Sequence, residues 1–244
     1  QALSLQPALR QQVRRAAAEI VSAPLLSDAG GDIINGWVRD KTRGRIPSLV
    51  NPGPAGYFAV ATAVHFAGLW QDPFQPGDTK DHIFRRLDGE TLCRMMWTAG
   101  PRVQERPLRL LDDPLCQGAR FPYRGERLAC YALKPAAEIS LEKLCAALSA
   151  QTLRRLLGGF VEQAVPVGLP CLEADSSFAL NEPLAALGTR DLFTPNRSDL
   201  SGIGSAVGVP NLYVDRVLHR ARVEIDESGT VASAATVLST RAGG

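Results

Sequence analysis

The chain of 244 residues is 45% hydrophobic and 21% charged, enough apolar material to bury a sizeable core and too much for a disordered tail. Its 22 glycines and 17 prolines recur without a period, and no apolar run approaches the roughly 18 residues that a membrane-spanning helix needs, which excludes collagen-like and membrane-spanning readings. Lysine plus arginine at 27 against aspartate plus glutamate at 25 leaves a net charge of +2 with the basic residues dispersed, so neither nucleic acid nor a membrane is expected as a partner.

Leu5, Leu9, Val13, Ala16 and Ile20 recur at helical steps behind Pro7 and predict a surface helix. Asp32 opens a second periodic stretch through Ile33, Ile34, Trp37, Val38 and Ile46, closing before Pro47, with Gly44 weakening its last turn. Phe58, Val60, Thr62, Val64 and Phe66 alternate with small residues, and the two largely apolar faces predict a central strand covered on both sides. Asp72 to Asp81, rich in proline, glycine and aspartate, reads as a turn. Further strands are predicted over Leu92 to Trp97, Leu128 to Lys134 and Ala164 to Leu169. Ser140 and Ser149 are placed to cap helices through Leu141, Leu144, Leu148 and through Leu153, Leu156, Leu157. A helical segment from Leu180 to Leu187 stops at Gly188, and Leu212 to Ile225 alternates as a half-buried strand. After Glu227 the pattern collapses into small uncharged residues, Ser228-Gly229-Thr230-Val231-Ala232-Ser233-Ala234-Ala235-Thr236. No linker, repeat or βαβ rhythm is present, so a single α+β domain is expected.

The five cysteines, Cys93, Cys116, Cys130, Cys145 and Cys171, form no C-x-x-C pair and have three histidines to help them, which does not fit a zinc or iron–sulfur site; no metal or cofactor is expected. No G-x-S-x-G elbow, phosphate loop or dinucleotide fingerprint is present, and spacing ties no acid or nucleophile to His65, His82 or His219. The chain does not read as an enzyme. Asn196-Arg197-Ser198 is its glycosylation acceptor, with Asn196 the modified residue if the protein is secreted.

The order of several motifs carries a resemblance. Ile33-Ile34-Asn35-Gly36-Trp37-Val38 with Lys41-Thr42-Arg43-Gly44-Arg45-Ile46-Pro47 looks like the helix F segment of a serpin. Val64-His65-Phe66-Ala67-Gly68-Leu69-Trp70, with Pro73-Phe74 and Thr79 behind it, resembles the third strand of the family's sheet A. Asp191-Leu192-Phe193, Asp199-Leu200-Ser201-Gly202-Ile203, Leu212-Tyr213-Val214 and Leu218-His219-Arg220-Ala221 follow in the family's order. The stretch from Glu227 to Thr236 is similar to the hinge of the reactive-centre loop, most of all that of the plasminogen activator inhibitor type.

The resemblance implies the serpin fold: a large, mostly antiparallel sheet A with sheets B and C and surrounding helices. It also implies that residues 1–244 are an incomplete portion of one such domain, lacking the family's first helices and the closing strands, so that either companion chains supply those pieces or the sequence is a proteolytic piece of a longer protein, with residues 228–244 as the reactive-centre loop. The implied activity is inhibition of serine endopeptidases outside the cell. The protease cuts the loop and forms an acyl-enzyme, and the cut loop enters sheet A as an added strand, releasing strain stored in a metastable fold. A non-inhibitory serpin acting as carrier, chaperone or decoy, and a cross-class inhibitor of cysteine proteases, are the alternatives.

Residue by residue, the hinge falls on Glu227, Ser228, Gly229, Thr230, Val231, Ala232, Ser233, Ala234 and Ala235. Gly229 is expected as a conformational pivot, and Thr230, Ala232, Ala234 and Thr236 as the small set facing the interior. The family's breach falls on Trp70, Cys171 and Glu227. The lysine that pairs with the glutamate in many members is replaced by Cys171, so Glu227 needs another partner or solvent. The shutter falls on Thr62 and His219, where threonine replaces the asparagine that usually bonds the histidine. Loop length puts the reactive bond between Gly243 and Gly244; pocket chemistry favours Arg241 before Ala242, a side chain for a trypsin-like enzyme.

Overall fold

The computed structural model describes residues 3–16, 18–86, 88–99 and 107–243. In chain order its elements are strand β1 (Ser4–Leu5), helices α1 (Pro7–Arg15) and α2 (Gly30–Lys41), then strands β2 (Ala59–Leu69), β3 (Lys80–Arg86), β4 (Gly89–Trp97), β5 (Leu108–Asp112), β6 (Cys116–Pro122) and β7 (Ala129–Pro135). Helices α3 (Leu141–Ala147) and α4 (Ala150–Gly158) follow, then β8 (Val161–Gln163), β9 (Gly168–Pro170), β10 (Leu172–Ala179), helix α5 (Asn181–Leu184), β11 (Gly204–Ser205), β12 (Asn211–Ile225) and β13 (Gly229–Gly243). Among the described residues the sheets run β10-β12-β13-β2, β3-β4-β9, β7-β6-β5-β8 and β1-β11. This is the mixed α+β architecture expected.

The residues group into two units, Gln1–His65 with Ala174–Arg222 and Ala232–Gly244, and Phe66–Glu173 with Val223–Val231. In the first, α2 lays Ile34 and Val38 over Ala235 and Val237 of β13, and Ile46 completes this core with Ala59 and Ala61 at its edge. Asn35 ties the following loop to the helix by donating to the Val50 carbonyl and accepting from the Leu49 and Val50 amides. Arg220 makes a two-pronged pair with Asp175 at 2.9 and 2.8 Å and donates to the Ser48 carbonyl, holding β12 to β10 and to the chain after α2. In the second unit, Trp70, Phe74, Met96, Phe121, Tyr123 and Leu169 form one core; Leu111, Cys116, Leu144, Leu156 and Phe160 form another under α3 and α4.

Both serine caps are formed: the Ser140 hydroxyl accepts from the Lys143 amide and that of Ser149 from the Thr152 amide. Gly188, at φ 110°, ends the helical segment after Leu180 as expected.

Four expectations change. The first helix stops at Arg15, short of Ile20. The second stops at Lys41, because Arg43 and Gly44 take left-handed conformations; these turn the chain so that Ile46 returns to the core from outside the helix. The strand expected over Ala164 to Leu169 is paired only from Gly168 to Pro170, opposite Trp97 to Met95. Finally, β2 lies at the end of its four-strand order rather than centrally, and among the described residues Val60 and Val64 stand 43% and 65% exposed, so one of its faces is not covered. The interior positions of this sheet belong to β12 and β13.

Candidate functional site

The segment after Glu227, which the sequence left as a loop of undetermined state, is a strand from Gly229 to Gly243 between β12 and β2. Threonine, valine and leucine at 230, 231, 236, 237, 238 and 240 suit extended backbone, and no proline interrupts it. The reversal from β12 is a tight turn. The Asp226 carboxylate accepts from the Ser228 and Gly229 amides, and the Asp226 amide donates to the Gly229 carbonyl at 3.0 Å. Antiparallel pairing with the segment entering β2 is marked at Tyr57 and Phe58. The Tyr57 amide donates to the Thr240 carbonyl, and the Thr240 amide to the Phe58 carbonyl at 3.0 Å. Near the turn, the Trp70 amide donates to the Ser228 carbonyl at 2.9 Å.

Alternation sends Ser233, Ala235 and Val237 to the α2 face, where they are buried. The expected interior set divides: Thr230 is buried, while Ala232, Ala234 and Thr236 are half-buried on the other face. The deeper central burial thus falls on the odd-numbered residues, because α2 covers their face. Gly229 also differs from expectation. Its φ is not in the left-handed region, so glycine is required for close approach. A β-carbon there would fall inside the Gly68 carbonyl oxygen and 2.9 Å from the Leu69 Cα.

Trp70, Cys171 and Glu227, the residues expected at the breach, come together in the second unit. The Trp70 indole stacks on Tyr123 with centroids 4.9 Å apart and donates Nε1–H to the Asp226 carbonyl at 2.8 Å. Glu227 finds partners that the sequence did not reveal: its Oε1 accepts from the Thr79 hydroxyl at 2.8 Å and from Arg94 Nη2 at 3.4 Å. Its backbone carbonyl accepts from the Phe74 amide. Arg94 sits there because β4 and β9 bring it opposite Cys171, whose amide donates to the Arg94 carbonyl. Burial, then the Glu227 charge, pushes the Cys171 thiol up.

The Thr79 hydrogen bond first, with Arg94 as a smaller cause, holds the Glu227 carboxyl below its ordinary value of 4.5. A depressed carboxylate stabilises the fold above the ordinary value and loses that contribution as pH falls through the lower folded one. Urea midpoints of the wild type and E227Q, measured from pH about 6 down to about 3, are therefore expected to converge on acidification. Parallel curves would contradict the contribution.

The pair expected at the shutter, Thr62 with His219, is not the one His219 makes. His219 Nδ1 lies 2.7 Å from the Thr236 hydroxyl, so β13 itself supplies its partner. Thr62 belongs to β2, which β13 separates from β12, so the histidine meets β13 instead. His65, which no spacing argument had singled out, has Nδ1 2.9 Å from the Ser233 hydroxyl.

Arg241, Ala242 and Gly243 are the last residues of β13, and Arg241 Nε pairs with Asp215 Oδ2 at 3.2 Å; Gly244 lies outside the described residues. Asn196 is exposed at φ 62°, while Ser198 of the same acceptor is buried. Of the unexpected partners, Thr79, Ser233 and Thr236 lie within stretches that carry the family resemblance and Asp215 directly follows one, whereas Arg94 and Tyr123 carry no local signal.

Comparison with known proteins bears on the family and the fold. Antithrombin-III of Bos taurus is 32% identical over 209 residues, covering 84% of this chain and 44% of that protein. Leukocyte elastase inhibitor of Sus scrofa is 33% identical over 239 residues, covering 90% and 59%. The chain thus spans about half the length of the curated relatives it matches. Among solved structures, the reactive-loop-cleaved human thyroxine-binding globulin superposes with a TM-score of 0.86 at 22% identity, over 98% of this chain and 69% of that one. The family model for serpins (serine protease inhibitors) matches residues 1–243, and the chain belongs to the serpin family.

Proposed function

We propose that the protein inhibits serine endopeptidases by suicide-substrate trapping, with segment 228–244 as its reactive-centre loop and β13 as the form that loop takes after insertion. The observation that carries the reading is the accommodation of Gly229 to Gly243 as an interior strand, paired on both sides, with small residues where α2 presses on it. Antithrombin-III and leukocyte elastase inhibitor as relatives point the same way.

In the proposed step the protease's serine hydroxyl adds to the carbonyl of Arg241 or Gly243. An ester forms, the peptide bond breaks, and the amine of Ala242 or Gly244 leaves carrying the proton. Entry of the loop along the path of β13, as far as the acylated residue, then carries the acylated protease along the sheet before water reaches the ester. The breach is the entry point in this reading. Glu227 and Asp226 are held there by Thr79, Arg94 and Trp70, so the turn is fixed while the residues beyond it move. Secretion, with a glycan on Asn196, belongs to the same reading, as do the chain segments needed to complete the serpin domain.

The test is incubation of the complete protein with trypsin-like, elastase-like and cysteine proteases, a denaturing gel, and sequencing of the released C-terminal peptide. A covalent band near the summed mass with a serine protease is expected. A peptide starting at Ala242 assigns the bond to Arg241, and one starting at Gly244 assigns it to Gly243. Cleavage without such a band across the panel would overturn trapping.

A further inference from the structure

We infer that His65 and His219 together read the register of the inserted strand, with His65 a positioning residue for insertion; this rests on the insertion reading above. The two imidazoles approach β13 from its two flanking strands, His65 on β2 reaching Ser233 at 2.9 Å and His219 on β12 reaching Thr236 at 2.7 Å. Ser233 and Thr236 differ in parity, so the contacts lie on opposite faces of the sheet. Ser233 is 3% exposed, so its hydroxyl has little access to water if His65 is removed.

The sequence of β13 gives these contacts discriminating power. Hydroxyls recur at Thr230, Ser233, Thr236 and Ser239, every third residue. A slip of one or two residues in either direction puts Ala232, Ala234, Val231 or Ala235 opposite His65. The same slips put Ala235, Val237, Ala234 or Leu238 opposite His219. Both hydrogen bonds are then lost at once. A slip of three restores hydroxyls but changes the packed positions under α2. Leu238 would enter the site of Ala235, which is 1% exposed, or, in the other direction, Ala234 would leave a void at the site of Val237. Polar anchors exclude the short slips and packing excludes the three-residue slip, so one register survives. Strands of small residues otherwise specify register weakly.

The experiment is a double-mutant cycle in the complete protein with H65F, S233A and their combination, and with H65N, which places a polar atom near the Nδ1 position. Each variant is melted before and after cleavage within the loop, and the molar ratio of inhibitor to protease needed for full inhibition is titrated. H65F is expected to leave the uncut midpoint unchanged and to lower the cleaved midpoint by several degrees. It should also raise the titration ratio about threefold, as loss of one buried hydrogen bond implies. H65N should recover most of both, and H65F should cost nothing further in the S233A background. Equal shifts in cut and uncut protein, or additive costs in the cycle, would overturn the register role and leave His65 as packing. Wild-type protein that gains no stability on cleavage would instead overturn the insertion reading itself.

Discussion

On the insertion reading proposed above, Gly229→Ala is expected to abolish the stability that loop insertion brings, at a cost of about 3 kcal/mol or more in the inserted form. The added methyl would overlap the Gly68 carbonyl oxygen and lie 2.9 Å from the Leu69 Cα. These are backbone atoms of the adjoining strand and have no rotamer through which to yield. In the uninserted loop of the proposed mechanism no adjoining strand meets the methyl, and in β13 the φ of Gly229 lies outside the left-handed region, so the cost is steric rather than conformational. The substitution should therefore act on one state only. Calorimetry of cleaved and uncut protein is the measurement: the uncut midpoint unchanged, the gain on cleavage gone, and cleavage without a covalent band in the protease assay. A cleaved G229A that melts with cleaved wild type would show that the strand pair opens at little cost.

The second large effect is at Trp70. Its indole stacks on Tyr123, meets Phe74 edge-on at 6.3 Å and Phe121 at 6.0 Å, and is buried with its one polar atom bonded to the Asp226 carbonyl. Truncation to alanine removes the centre of this aromatic cluster and leaves that carbonyl without its indole donor. The expected loss is about 3–5 kcal/mol, read from the urea midpoint at constant slope. Trp70→Phe should recover the larger part, because the ring still packs, and fall short by about 1 kcal/mol for the missing hydrogen bond. A loss under about 1 kcal/mol for W70A would mean that the cluster collapses to fill the space.

Much of the candidate site was legible before the structure because its signals are local. A run of small residues without proline after Glu227 is a property of consecutive residues, and so are the caps at Ser140 and Ser149. Glu227 could be named from its place in the motif, but its partners could not. Thr79 and Arg94 stand 148 and 133 residues from it along the chain, a separation over which spacing carries no information. The Gly229 requirement shows the same limit. The residue type was visible, whereas the reason, close approach to Gly68, exists only once two strands lie side by side.

Sequence alone determined that Gly229 to Gly243 is able to be a strand, since bulk, branching and the absence of proline are fixed residue by residue. Only the tertiary structure decided that it is one, between β12 and β2, with Ser233 and Thr236 against His65 and His219 and Ala235 and Val237 beneath α2. A strand's backbone hydrogen bonds and its buried face are both supplied by its neighbours. Which strands those are depends on the free energy of the whole sheet, and on no property of the segment itself.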